Sequence, residues 1–212
     1  MPPRLLIFIP AKNEAPTIGT ITPALRERFA HLEEPPSILV IDDGSQDGTA
    51  AAAERAGAAV IRHARSQGLG RAFQEAHQHA LNEGVDFLLT IDGDRQFQES
   101  DLVAIYEMLR TDGLDFVSGS RFLPESRVEA MPASKRWGNR LLARVVASIT
   151  RRPVTDSTCG LRGYSATALA ALHTFSRFTY THEVILNLGL KPLRFGEVPV
   201  TVRYFPERVS RI

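Results

Sequence analysis

Two aspartates, Asp92 and Asp94, close an apolar run in LLTIDGDRQF (88–97), with Gly93 between them. Like charges so close repel unless something positive sits beside them. The pair is therefore either a solvated Asx turn or a cation site. With Gln96, three oxygen-bearing side chains fall at alternate positions, and oxygen is the ligand that Mg²⁺ and Mn²⁺ prefer. Mg²⁺ is commonly held by one or two carboxylates, with substrate phosphates completing its shell. Two aspartates plus a diphosphate make such a set. Gly93 would let a ligand approach the backbone closely. Because the motif closes a buried run, the metal reading is preferred.

Other polar clusters close other apolar runs. IDDGSQDGT (41–49) follows a second run. Turn-and-cap chemistry is the better reading of Gly44, Asp47, Gly48 and Thr49. For Asp43, accepting a hydrogen bond from a base ring N–H competes with that reading. In PAKNE (10–14), Asn13 can cap a helix and Glu14 can stabilise its first turn, but capping leaves Pro10 and Lys12 unexplained. SQGLGRA (66–72) is a weak phosphate-loop signal and lacks the G-K-[ST] of a Walker A loop. His31, His63, His77, His79 and His173 show no ligand spacing and are expected at the surface. Cys159 is expected to be a packing residue, since no histidine lies nearby in sequence to activate it. Trp137 suits either the core or a membrane interface.

Apolar runs and helical patterns alternate. Runs at 4–10, 37–43, 58–63, 87–92 and 115–120 read as parallel strands buried on both faces. Helices are expected over 17–32, with a kink or restart at Thr22–Pro23, then over 49–56, 68–84 and 100–110, the last capped by Ser100. Such alternation predicts an α/β fold with right-handed crossovers. After Ser120 the rhythm breaks. A loop is expected over 121–135, helices over 135–149, 165–173 and near 180–190, and a final strand over 194–205. The clusters above fall at the carboxyl ends of the expected strands, where open α/β sheets bind ligands.

The bulk composition fits this. At 212 residues, with 43% hydrophobic and 23% charged content, the chain suits one globular domain. A net charge of +1 argues against a nucleic-acid partner. Basic residues still outnumber acidic ones from Arg121 to Arg152, facing phosphates, lipid headgroups or water. One cysteine allows no internal disulfide and no cysteine zinc site, and fits a reducing compartment. MPPRLLIFIPAKNE reads as a strand, not a signal peptide. No window is apolar over the roughly 20 residues needed to span a bilayer, so membrane work would be done from the surface.

In order and spacing, six segments resemble family 2 glycosyltransferases, within them the dolichol-phosphate mannose synthase-like branch. IPAKNEAPTIG looks like the opening strand and IPxxNE signature, and VIDDGSQDGTA like the second. IDGDRQ looks like the D-x-D-x-Q metal motif, with Gly93 where alanine is commoner. VSGSRF matches the arginine after strand five. DSTCGLRGYS looks like D-x-x-x-G-F-R, with Leu161 for Phe. VPVTVRYFPERVSRI looks like the closing P-x-x-x-R-x-G-x-S-K, with Val209 and Arg211 departing from it.

The resemblance implies a GT-A, Rossmann-like fold with a mostly parallel central sheet flanked by helices. It implies one domain over 1–212, with a nucleotide-binding half (1–120) and an acceptor-binding half (121–212). It also implies a nucleotide-diphosphate sugar donor, Mg²⁺ or Mn²⁺, and inversion at the anomeric carbon. Asp92, Asp94 and Gln96 would hold the metal, and Pro10, Lys12, Glu14, Ile41, Asp43 and Gly93 would line the nucleotide. Arg121 and Arg136 would meet an acceptor phosphate, while Arg208 and Ser210 would belong to a segment closing over the donor.

The expected activity is transfer of a hexose, from a GDP-mannose or UDP-glucose type of donor, to a polyprenyl or dolichyl phosphate. The enzyme would be peripheral at the cytoplasmic membrane face, and a homodimer is allowed. An anionic phosphate acceptor needs arginines rather than a strong base. A hydroxyl acceptor would need a base, with Asp156 the candidate against a turn role or pairing with Arg162. The alternatives are that hydroxyl-acceptor transferase and a non-catalytic nucleotide-sugar-binding module.

Overall fold

The computed structural model of the chain describes residues 2–176 and 180–204. Strands β1 (Leu5–Ala11), β2 (Ser37–Asp42), β3 (Ala59–Arg62) and β4 (Phe87–Thr90) lie parallel, in the order β3-β2-β1-β4. Every residue of β1 is buried. Alternate side chains leave a strand on opposite faces. Accordingly, Leu5, Ile7 and Ile9 pack in one apolar cluster, and Leu6 and Phe8 in another across the sheet. That two-sided burial is why the run LLIFIP has no polar alternation.

Helices α1 (Ala15–Arg28), α2 (Thr49–Arg55) and α4 (Glu99–Arg110) cover the first face, and α3 (Leu69–Glu83) the second. Pro23 does not break α1: the helix runs through it, with the proline on its exposed side. Ser100 does not cap α4. The helix starts one residue earlier, with Gln98 at the N-cap, and Glu99 and Asp101 set against the positive end of its dipole.

Beyond β4 the sheet continues as β7 (Arg162–Ser165), β5 (Phe116–Ser120) and β8 (Phe195–Pro199). β8 is parallel to β5, whereas β7 runs antiparallel to both β4 and β5. One sheet thus spans both halves of the chain. RGYS is too short and too mixed to announce a strand, and β7 was not expected. Gly163 fits there because a Cβ would stand 2.4 Å from an Ile105 methyl.

The expected loop after Ser120 contains β6 (Arg127–Glu129), and the expected last strand divides into β8 and β9 (Thr201–Arg203). β6 and β9 pair parallel in a small second sheet. Helices α5 (Ala133–Thr150), α6 (Ala166–Ala171) and α7 (Thr181–Gly189) complete the fold.

Candidate active site

The strand order reverses direction between β1 and β4, the switch point at which open sheets form a ligand crevice. Asp92 lies just beyond β4 and is half-buried. Burial and the neighbouring charge of Asp94 push its carboxyl up to about 7, against partial relief from Arg121 and Arg162 and a further upward push from Glu14. Among the described residues, none donates a hydrogen bond to the Asp92 carboxylate. Asp94 is turned by its own loop: its Oδ1 accepts from the Gln96 amide at 3.0 Å.

The donor set fits a hard divalent cation. Two carboxylates raise one another's proton affinity, and a cation would relieve the repulsion. No group of three His, Cys, Asp or Glu gathers into a metal site among the described residues, so the pair is the acidic set available. Gly160 forms the wall behind it. A Cβ there would stand 2.7 Å from Asp92 Oδ2, so any larger residue would move the carboxylate.

The loop is fastened on three sides. The Thr17 hydroxyl donates to the Gly93 carbonyl at 2.9 Å and also meets the carboxylate of Glu14, the residue that precedes α1. Gly93 lies against β1, where an added Cβ would be 3.1 Å from the Pro10 carbonyl oxygen. The Gln96 carbonyl accepts from the Arg203 amide, and Phe97 bridges to Val202 in β9.

At the end of β2, the Asp43 carboxylate accepts four hydrogen bonds. They come from the Gln67 and Gly68 amides, the Ser66 hydroxyl and the His63 ring, at 2.6–3.0 Å. Burial alone would raise its pKa, but these donors outweigh burial and hold it at about 2. His63 is buried between two carboxylates, with Nδ1 2.7 Å from Asp43 and Nε2 2.9 Å from Glu75. They raise its pKa against the downward push of burial. The surface placement expected for His63 is therefore corrected. Lys12 donates to Ser66 at 3.0 Å, joining the end of β1 to this loop.

The turn requires Gly44. Its φ is +75°, and a Cβ would meet the Ser66 amide nitrogen at 2.7 Å. Asn13 does not cap α1; its side-chain oxygen accepts from the Gln46 amide. Asp47 takes the capping task for two helices, accepting from the Ala15 amide and the Thr49 amide.

The second half contributes a buried ion pair. Asp156 is fully buried. Its oxygens take Arg121 Nε at 2.6 Å and Nη2 at 2.8 Å, with the Thr158 amide at 3.0 Å. Burial would raise its pKa, but Arg121 outweighs that and lowers it. A base needs an accessible lone pair, and the geometry gives Asp156 none. Its partner is Arg121, not Arg162. The Arg162 guanidinium instead donates to the carbonyls of Cys159, Thr181 and Ser157, at 2.7–3.1 Å. That staple sets the 156–161 loop, which the Thr90 hydroxyl ties to β4 through the Gly160 carbonyl at 2.6 Å. Cys159 is buried as expected, its thiol pushed up to about 12 mainly by burial.

Beside this loop lies a cavity of about 330 Å³ walled by Arg121, Arg136 and Arg140, with Phe122, Leu123 and Met131 as its apolar lining. Arg140 stacks over the Phe122 ring at 5.2 Å. Lys135 faces the Tyr204 ring at 4.7 Å, and its ammonium is destabilised first by burial and then by Arg121, with Asp94 offsetting in part. Arg121 also donates to the Tyr204 hydroxyl at 2.8 Å. The cation-walled cavity and the aspartate pair thus share Arg121 as a common neighbour.

The structure brings Lys12 to the Asp43–Ser66 loop, Glu14 and Gly93 together on Thr17, and Arg121 and Arg136 to one cavity. Ile41 is an exception: its side chain is wholly buried in the core beside Phe8 and Phe73, so it supports the end of β2 from beneath. Arg208 and Ser210 lie outside the described residues. Sequence reasoning missed His63, Ser66, Lys135, Arg140 and Tyr204 as neighbours of the site. Gly160 was visible only as the glycine of the D-x-x-x-G segment.

Comparison with known proteins places this architecture. Residues 6–172 match the model described as "Glycosyl transferase family 2". An undecaprenyl-phosphate mannosyltransferase of Micrococcus luteus is 29% identical over 93% of this chain and 83% of its own. A UDP-N-acetylglucosamine–dolichyl-phosphate N-acetylglucosaminyltransferase of Methanococcus voltae is 26% identical over 98% of this chain and 88% of its own. Among solved structures, a glucosyl-3-phosphoglycerate synthase of Mycobacterium tuberculosis, in complex with Mn²⁺, UDP-glucose and phosphoglyceric acid, superposes with a TM-score of 0.67. It is 20% identical over 97% of this chain and 73% of its own, a likeness of fold. With its switch-point aspartates and mixed seven-stranded sheet, the chain belongs to glycosyl transferase family 2 and is a glycosyltransferase of GT-A fold.

Proposed function

We propose that this glycosyltransferase moves a hexose from a nucleotide-diphosphate sugar of the GDP-mannose or UDP-glucose type to a polyprenyl or dolichyl phosphate, with inversion, at the cytoplasmic membrane face. The observation that carries this reading is the cavity walled by Arg121, Arg136 and Arg140 beside the Asp92–Asp94 pair. Arg136 and Arg140, with the buried Arg121–Asp156 pair behind them, make a polar cavity whose wall also carries Phe122, Leu123 and Met131, which suits an anionic phosphate joined to a hydrocarbon chain. The names of the M. luteus and M. voltae relatives support the same acceptor class.

In this reading Asp92 and Asp94 would hold Mg²⁺ or Mn²⁺, with Gln96 completing the motif. When bound, the cation would supply Lewis-acid stabilisation of the charge developing on the departing diphosphate. Lys12 and the Asp43–Ser66 loop receive the nucleoside. Arg136 and Arg140 bind the acceptor phosphate, which attacks the anomeric carbon from the face opposite the leaving group. Asp156 acts as a positioning residue, fixing the Arg121 guanidinium at the junction of the two subsites. An ionised phosphate acceptor has no proton to give up, which agrees with a site whose buried acid is committed to an arginine.

The test is release of nucleoside diphosphate from a panel of GDP- and UDP-sugars with Mg²⁺ or Mn²⁺, with and without a short polyprenyl phosphate. Release that needs both cation and lipid phosphate is expected. Equal release without the lipid phosphate would overturn the acceptor. Arg136→Ala should raise the KM for the acceptor about tenfold or more while leaving donor affinity nearly unchanged. A rise confined to the donor KM would remove Arg136 from the acceptor subsite.

A further inference from the structure

The helix α5 leaves one face without a protein partner among the described residues. It packs inward through Ala143, Val146 and Thr150. On its other side Trp137, Leu141, Val145 and Ile149 are 70%, 46%, 48% and 52% exposed, with Leu142 beside them. These four positions are spaced i, i+4, i+8 and i+12, so they form one slowly winding stripe, roughly 18 Å long at 1.5 Å per residue. The remaining exposed large hydrophobics among the described residues, Leu81, Phe175 and Leu190, lie on other elements. A stripe of this size on one helix is not ordinary surface scatter.

Charge identifies what covers it. Arg136, Arg140 and Arg144 precede Trp137, Leu141 and Val145 by one residue at each turn, making a parallel row along the stripe. From Ala130 to Thr155 the chain has no Asp or Glu, and Lys135, Arg151 and Arg152 add to the basic row. A protein partner of mixed surface would not select for such one-signed charge. A lipid surface does: the apolar residues enter the acyl boundary, the arginines meet the phosphate layer, and a tryptophan suits the interface between them. No helix among the described residues is long and apolar enough to cross a membrane, so this is contact from one side.

We propose that α5 docks the enzyme on an anionic bilayer, lying in the headgroup layer with the Trp137–Leu141–Val145–Ile149 stripe inward. Its orientation rests on the acceptor reading above. Arg136 and Arg140 belong both to the basic row of α5 and to the wall of the cavity. A helix seated in the headgroups would therefore open the cavity onto the phosphate layer. A lipid phosphate would reach the arginines without its chain leaving the membrane.

Trp137 is the single tryptophan of the chain, so its fluorescence reports this contact alone. The full chain is mixed with vesicles of phosphatidylcholine, or of phosphatidylcholine with phosphatidylglycerol. Expected are a blue shift of Trp137 emission and quenching by bromine on the acyl chains, strongest with the anionic lipid and weakened by salt. The double variant Leu141→Glu, Val145→Glu should bind these vesicles about tenfold or more weakly. Its thermal midpoint and its turnover of a short, water-soluble polyprenyl phosphate should stay near the parent's.

Unshifted, unquenched Trp137 with anionic vesicles would overturn the docking. So would concentration-dependent dimerisation in sedimentation equilibrium that the double variant abolishes, because a second copy would then cover the stripe. Loss of all lipid-phosphate transfer by the parent, with Trp137 still quenched, would sink the acceptor reading and leave the docking standing.

Discussion

Asp92 and Asp94 share a repulsion that only a positive neighbour relieves, and their chemistry can be tested one side chain at a time. Asp94→Ala should lower cation-dependent turnover by about 10³-fold, the equivalent of several kcal/mol of Lewis-acid stabilisation. Unchanged turnover would remove the pair from the reaction. His63 predicts a pH dependence of stability. Its pKa is raised in the fold, so its contribution is complete below the ordinary imidazole value of 6.5 and is lost as pH rises through the folded value. Asp43 works in the opposite sense, complete above its ordinary 3.8 and lost as pH falls through about 2. The cluster is therefore strongest between about pH 4 and 6.5. His63→Gln should flatten the alkaline side of a plot of thermal midpoint against pH, and an unchanged slope there would assign that dependence elsewhere. Sequence reading placed Asp43 and Asp92 because each ends an apolar run. It missed His63, whose partners Asp43 and Glu75 are 20 and 12 residues away.

At the scale of the element, the 156–161 loop sets the site more than any helix does. Arg162 holds it through the Ser157 and Cys159 carbonyls and ties it to α7 through that of Thr181, and Gly160 gives Asp92 its space. Gly160→Ala should weaken Mn²⁺ binding about tenfold or more, measured by titration calorimetry, with only a small change in thermal midpoint. Mn²⁺ affinity equal to the parent's would show that the carboxylate shifts without consequence. β1, β2, β4 and α3 were legible because each carries a clean burial signature, an apolar run or a 3.6-residue stripe ending in turn residues. β6 and β7 were not legible, because RVE and RGYS carry no apolar run and owe their pairing to partners far along the chain, and the break between β8 and β9 inside the expected last strand was not legible either. RGYS becomes a strand only because β4 and β5 offer it two edges at once. The pairing of Asp156 with Arg162 gave way to one with Arg121 for a related reason. Its carboxylate is claimed by Arg121, 35 residues earlier, and spacing within a motif does not report such a pairing.

For the whole molecule, the placing of β7 between β4 and β5 has a consequence for the order of folding. The first four strands can assemble on their own, since each pairs with a neighbour already synthesised. β5 cannot join them until residues 162–165 arrive to fill the gap. Until then β4 presents an open apolar edge, the state in which nascent sheets meet other chains. A fragment ending at Ser120 should therefore aggregate, whereas one reaching Ser165 should stay soluble longer, as light scattering during refolding would record. A soluble, cooperatively melting 1–120 fragment would show that the edge protects itself. The fragment contains both Asp92 and Asp94 but neither Gly160 nor Arg162. The same late strand that closes the sheet thus delivers the loop that walls the Asp92–Asp94 pair, so a chain that has not finished folding has not yet assembled the crevice in which a sugar nucleotide would be spent.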